Sequence, residues 1–323
     1  MTDNANSTPS AAPEDAGTPE TTSAASWPSY ERWLAGGRRL ALPRLGREVF
    51  VRLDGPAEGG VVTLLHGFPS SSHDWALVVP ALAATHRVLT LDLLGFGDSD
   101  KPPGHRYSLF EQADLVEEVW QLLDLPVGPL VAHDYGVTVA QELLARGAHV
   151  EKVAWLNGGL YPALHRPTDV QHALLGPDGA ALAAALTPEL VAPGLRAVLG
   201  RQVPDTVLDD LAEAAARQDG LRNMHLLMGY VAERRAHAER WVGALEKAYD
   251  TGTPFLFAWG VRDPVSGGHM LQAVQDRMPH ASYLVLDQAG HYPQLEEPQS
   301  VAAALAAFLG QGLPADGHLP RRE

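Results

Sequence analysis

Residues 128–144 read GPLVAHDYGVTVAQELL. The apolar run Leu130 to Ala132 meets His133, Asp134, Tyr135 and Gly136, and Val137 to Leu144 then continues as an amphipathic run. The pattern predicts a strand, a sharp turn and a helix. Asp134 stands at the apex, with Ala132 two positions before it and Gly136 two after. A side chain pushed out of so tight a turn strains its own backbone and brings strand end and helix start too close for bulk on either side. The turn also aims the N–H groups and partial positive charge of the helix N-terminus at Asp134, which favours the ionised carboxylate. An aspartate here could equally be an ordinary helix N-cap. The rest of the chain has to decide.

Further apolar runs end in similar small or polar loops. Val61 to Leu65 runs into His66, Gly67, Phe68 and Pro69, and Val88 to Leu94 into Gly95, Phe96 and Gly97. Val153 to Leu156 precedes Asn157, Gly158 and Gly159; Pro254 to Trp259 precedes Gly260 and Asp263; Tyr283 to Leu286 precedes Gly290 and His291. Glu48 to Leu53 alternates and reads as an early antiparallel strand. Between the runs lie helical signals at Trp75 to Ala83, at Ser108 to Leu123, where Ser108 and Glu111 have capping-box spacing, and at Val301 to Leu309. Alternating strands and helices argue for an α/β fold with a mostly parallel, doubly wound sheet, whose ligands gather at the carboxyl ends of the strands.

From Gly158 to about Ala244 the alternation stops, and helix-favouring stretches at Ala180 to Leu186, Asp205 to Arg217 and Arg222 to Glu239 take over. We read residues 158–244 as a helical cap inserted between two parts of the core, 27–157 and 245–313, and see no internal repeat. Residues 1–26 are rich in Ser, Thr, Ala, Pro, Asp and Glu, without a basic start or an apolar segment. They are expected to be a disordered tail rather than a signal peptide, and 314–323 a flexible one.

The chain has 323 residues, 46% of them hydrophobic, no cysteine and a formal net charge of −15. Disulfides, thiolate nucleophiles and Cys-based metal sites are therefore excluded. So much negative charge disfavours nucleic acid and anionic lipid as partners and favours a neutral substrate. The absence of a long apolar stretch predicts no membrane span and a cytoplasmic protein, either monomer or homodimer.

Asp134, Asp263 and His291 follow strand ends in the chain order of an α/β-hydrolase triad, with aspartate where serine usually stands. A serine must be deprotonated before attack, whereas a carboxylate is already a nucleophile and can displace a leaving group from saturated carbon. Attack by Asp134 would form an alkyl ester. His291, oriented by Asp263, would then deprotonate the water that hydrolyses it, and the backbone N–H groups of Phe68 and Tyr135 would hold the oxyanion. His66, His133 and Asn157, at the same strand ends, are candidate pocket residues. A metal site built from His66, His133 and His291 is a rival reading, but these residues lack local ligand spacing, and no metal or other cofactor is expected.

The motifs HGFP (66–69), GFGDSDKP (95–102), HDYG (133–136) and GVRDPV (260–265) resemble the epoxide hydrolase and haloalkane dehalogenase branch of the α/β-hydrolases. HDYGVTVAQELL, NGGLYPALHRP, ERWVGALE and HYPQLEEP resemble, more narrowly, the mesoderm-specific transcript proteins and their bacterial relatives. The resemblance implies an α/β-hydrolase fold with an Asp nucleophile and a cap. Haloalkane dehalogenases typically hold the halide with a tryptophan after the nucleophile and a polar residue in HGxP, where this chain has Tyr135 and Phe68. Epoxide hydrolases carry an aromatic residue in HGxP and use cap tyrosines as acids, which makes Tyr230 the candidate acid and Tyr161 a candidate second one. The expected activity is epoxide hydrolysis to a diol, and the expected partners are a small, apolar substrate and water. The alternatives are a dehalogenase with an unusual halide pocket, or a receptor or scaffold with an idle triad.

Overall fold

The computed structural model describes Met1 and residues 27–310. The two tails read from composition therefore fall almost wholly outside the described residues. Eight strands form one sheet: β1 (Arg38–Leu42), β2 (Arg47–Asp54), β3 (Gly60–Leu65), β4 (His86–Leu91), β5 (Leu130–His133), β6 (Val153–Leu156), β7 (Phe255–Gly260) and β8 (Ser282–Leu286). Their spatial order is β1-β2-β4-β3-β5-β6-β7-β8. β2 pairs antiparallel with β1 and β4, and every other pairing is parallel. The four residues of β5 and of β6 and all six of β7 are buried, as central parallel strands covered on both faces must be.

The order reverses between β3 and β5, since the chain passes from β3 outward to β4 and returns to pair Leu65 with Ala132. A doubly wound sheet opens its ligand crevice at such a reversal, at the carboxyl ends of the strands. His66 to Phe68 and His133 to Asp134 leave the sheet there. Every strand expected from the sequence is present within a few residues. β1 was not expected; it is a short edge strand, RRLAL, exposed or half-buried except at Leu42.

Between β6 and β7 the chain forms short helices, among them Asp169–Leu175, Gly179–Ala185, Pro188–Arg196, Asp205–Ala216 and Tyr230–Ala236, and then the longer Ala238–Asp250. The cap boundary expected at Ala244 cuts through this last helix, whose buried Trp241 and Leu245 face the core and which packs against Tyr135–Ala145. The single helix expected over Arg222 to Glu239 is broken into Met224–Leu227, Tyr230–Ala236 and the start of Ala238–Asp250. Leu226, Met228 and Val231 suited one apolar stripe, but packing of separate short segments overrides so local a signal. The Trp75 to Ala83 signal is likewise divided, into a 3-10 turn Ser72–Trp75 and a short helix Val79–Leu82.

The helix expected at Ser108 spans Leu109–Leu122, and the Ser108 side chain caps it by accepting from the Phe110 N–H. The reciprocal half of the capping box is replaced. Glu111 turns to His105 at 2.8 Å, and Glu233 accepts the Leu109 N–H at 2.7 Å and the Ser108 hydroxyl at 2.6 Å. A carboxylate from the segment between β6 and β7 thus stabilises the N-terminus of this helix. No helix among the described residues is long and apolar enough to cross a membrane.

Candidate active site

Asp134 follows β5 directly and precedes the helix Tyr135–Ala145. Its φ of 43° and ψ of −103° lie in a region that costs a non-glycine residue on the order of 1–3 kcal/mol. Surrounding contacts hold it there. The Asp134 N–H donates to Asn157 O at 3.1 Å, and the Gly136 N–H to His66 O at 3.0 Å. The small residue at 136 has a visible cause: a Cβ there would stand 2.7 Å from Leu65 O and 2.8 Å from His66 O. The Asp134 side chain makes no N-cap hydrogen bond to its own helix. Its Oδ2 instead accepts the Phe68 N–H at 2.9 Å, and its Oδ1 lies 3.9 Å from His291 Nε2. Asp134 is only 3% exposed and His291 5%.

His291 Nδ1 donates to Asp263 Oδ2 at 2.8 Å. Asp263 is held in turn by the Ser266 hydroxyl at 2.7 Å, the Val265 N–H at 2.8 Å and Asn157 Nδ2 at 3.0 Å. Asn157 also brackets Gly260, donating to its O at 2.8 Å and accepting from its N–H at 2.6 Å. Burial pushes the Asp263 carboxyl up, but the His291 charge and these donors outweigh it and hold it far below the usual carboxylate range. Burial likewise raises Asp134, and His291, Arg234 and the Phe68 N–H bring it below its ordinary value. Burial lowers His291, but the adjacent carboxylates of Asp263 and Asp134 carry it up to about 9. The resting arrangement is therefore an imidazolium between two carboxylates.

Three residues expected to line the pocket have other places. His66 donates through Nδ1 to Gly67 O at 2.8 Å and accepts the Leu93 N–H on Nε2 at 3.0 Å, tying the ends of β3 and β4 together. His133 donates through Nε2 to His291 O at 2.7 Å and accepts from Gln294 on Nδ1 at 3.1 Å. Both rings are fully buried with both nitrogens engaged, so neither has a hydrogen-bonding position to offer a substrate. Asn157 is committed to Gly260 and Asp263. All three support the site from behind, a role that residue type and strand-end position could not separate from lining it.

The two tyrosines also divide. The Tyr161 hydroxyl faces Glu246 Oε1 at 3.4 Å and its ring carries the Arg277 guanidinium at 4.5 Å, which removes it as a second acid above Asp134. Tyr230 is 1% exposed, its ring centroid is 5.0 Å from that of Tyr135 and 6.2 Å from that of Phe68, and its hydroxyl has no partner among the described residues. Burial, reinforced by the Asp134 charge, raises its pKa, so the phenol stays protonated.

The sequence reading missed two residues. Arg234, 2% exposed, donates through Nη2 to Asp134 O at 2.8 Å and through Nε to Thr138 Oγ1 at 2.7 Å, and its guanidinium lies 4.6 Å over the Tyr230 ring. It bolts the helix Tyr230–Ala236 to the strained turn. Glu296, 3% exposed, accepts the N–H groups of Gly290, Tyr292, Gly200 and Arg201 at 2.7–3.0 Å, binding the His291 loop to the segment before the helix Asp205–Ala216. The acidic pair in HYPQLEEP was a signal for Glu296; nothing in MGYVAERR distinguished Arg234 from Arg235.

A strained turn after a central parallel strand, facing a histidine and an acid on later strand ends, defines a class. The profile of the "alpha/beta hydrolase fold" family matches residues 60–298, and the chain belongs to that family. Among its relatives, the Mycobacterium tuberculosis protein named "Putative hydrolase LipZ" is 37% identical over 290 residues, covering 87% of this chain and 98% of that one. The human mesoderm-specific transcript homolog protein is 35% identical over 302 residues, covering 87% and 88%. Of solved structures, the haloalkane dehalogenase DbeA from Bradyrhizobium elkani USDA94 superposes with a TM-score of 0.71 at 23% identity, over 84% of this chain and 97% of that one.

Proposed function

We propose that this protein is a cofactor-independent hydrolase that works through an alkyl ester on Asp134 and opens epoxides to diols. The observation that carries the reading is the Asp134 carboxylate, held out on a strained turn 3.9 Å from a His291 whose other nitrogen is committed to Asp263. A carboxylate oxygen attacks an epoxide carbon, the ring C–O bond breaks, and its electron pair leaves on oxygen, which takes the Tyr230 proton. The imidazolium of His291 returns that proton to Tyr230 through water. Neutral His291 then removes a proton from a second water, whose oxygen attacks the ester carbonyl. The Phe68 N–H, which now sits on Asp134 Oδ2, and the Tyr135 N–H, in a first helical turn without intrahelical acceptors, hold the oxyanion. Collapse releases the diol and restores carboxylate and imidazolium.

Epoxide is preferred to halide because positions 68 and 135 offer no side-chain amide or indole N–H to a departing halide, while Tyr230 offers a buried, unpartnered hydroxyl. A single turnover of styrene oxide in heavy-oxygen water tests the reading. Label is expected in the Asp134 side chain, and label confined to the diol would refute the ester. Halide release from bromobutane without diol from styrene oxide would move the assignment to dehalogenation, and tight binding of both without turnover to a receptor.

A further inference from the structure

Tyr230 supplies one hydrogen-bonding group above Asp134, and Tyr161 does not supply the second. The cap brings another. His165 follows the short turn Pro162–Leu164, which packs against the helix Tyr230–Ala236. On its other side the segment is pinned to the loop carrying Asp263, with the Arg166 N–H donating to Val265 O at 3.1 Å and His269 Nε2 to Leu164 O at 3.0 Å. The backbone therefore places the His165 ring between the element bearing Tyr230 and the loop bearing Asp263.

His165 is 8% exposed, and neither Nδ1 nor Nε2 has a partner among the described residues. His66, His133 and His291, the other histidines at the site, have their nitrogens accounted for by the contacts described above. An unpartnered buried polar group loses its hydration without compensation, a cost that a ligand can remove. Burial, together with the nearby Arg234 charge, pushes His165 down to about 4, with Asp134, His291 and Asp263 also acting on it. At neutral pH it is an uncharged imidazole with one N–H donor and one acceptor.

We propose that His165 is a substrate-binding residue of this site, donating a ring N–H to the oxygen that leaves carbon as the Asp134 ester forms, beside the Tyr230 hydroxyl. This rests on the ester reading and narrows the substrate to one whose leaving atom is a hydrogen-bond acceptor held from two sides. His165 keeps its proton; Tyr230 transfers the one the leaving oxygen gains. The role confines His165 to alkylation and leaves ester hydrolysis to His291.

Alkylation is isolated in His291→Gln, where the ester should accumulate as added mass on treatment with styrene oxide. In that background His165→Phe should slow mass uptake about 10- to 100-fold, and His165→Gln, which restores an N–H, should recover most of the rate. In the single variant His165→Phe, hydrolysis of ester already formed should proceed at the wild-type rate. Equal alkylation rates with and without His165, or slowing of hydrolysis alone, would overturn the role while leaving the ester intact. Absence of mass uptake in His291→Gln, with wild type turning styrene oxide over, would overturn the ester and the His165 role together. Should the variants fail to fold, nitrogen NMR of wild type still decides: the His165 ring resonances should move on adding styrene glycol, and unmoved resonances would refute the contact.

Discussion

Replacing Asp134 by asparagine should lower the His291 pKa from about 9 by about two to three pH units. The two groups stand 3.9 Å apart with both side chains at most 7% exposed. At the effective dielectric that describes such sites, charges about 4 Å apart interact by about 4 kcal/mol, and each pKa unit corresponds to about 1.4 kcal/mol. Removing the Asp134 charge thus withdraws up to about three units of support, while the Asp263 contact and the burial of the ring stay as they are. Alkylation removes that charge just as asparagine does. His291 would therefore be protonated while Asp134 attacks and become a base once the ester exists, so the first step itself switches on the second. Side-chain NMR titration of His291 in both proteins measures the difference. A change below about half a unit would refute the coupling and require another source of base for hydrolysis. Ester hydrolysis, in the same account, rises with pH through the lowered His291 value, whereas alkylation is flat above the low Asp134 range.

Three further outcomes follow from named contacts. Because folding raises His291 from 6.5 to about 9, its contribution to stability is complete below 6.5 and lost as pH rises through 9. Urea unfolding should show up to about 3 kcal/mol lost across that window in wild type and a flatter profile in His291→Gln, and equal slopes would count against it. Gly136→Ala would drive a methyl group into the Leu65 and His66 carbonyls, so its urea midpoint should fall by the equivalent of about 1–3 kcal/mol, against no change if the turn relaxes freely. Glu142, 1% exposed, accepts Arg146 Nε at 2.8 Å, Arg240 Nε at 2.7 Å and Trp241 Nε1 at 2.8 Å, joining the helices Tyr135–Ala145 and Ala238–Asp250. Glu142→Gln should cost about 1–3 kcal/mol in the same assay, less than a fully buried pair because Arg240 is 42% exposed, and a neutral result would mean the joint is held by packing alone.

The alternating strands, the turn at Asp134 and the strand-end positions of Asp263 and His291 were legible in the sequence because their signals are local. A fully buried strand must be an unbroken apolar run, and a side chain forced out of a tight turn needs small neighbours two residues away. Even the wrong expectations were local signals read correctly in isolation. Glu111 has capping-box spacing from Ser108, yet the carboxylate at that helix terminus is Glu233, more than a hundred residues away in the chain. The apolar positions from Arg222 to Glu239 suit one helix until tertiary packing divides them among three.

Which strand-end residues back the site and which line it was decided only by tertiary structure. His66, His133, Asn157 and His165 are all histidines or amides at or beyond strand ends, indistinguishable by type or spacing. The first three spend their polar atoms on protein groups, most of them from distant segments, and His165 has no partner among the described residues. Arg234 reaches Asp134 from a hundred positions away. The chemistry available was thus written in short stretches of the chain. Its assignment to particular side chains depended on long-range hydrogen bonding, because a polar group is free for a substrate only when the folded protein has left it unpaired.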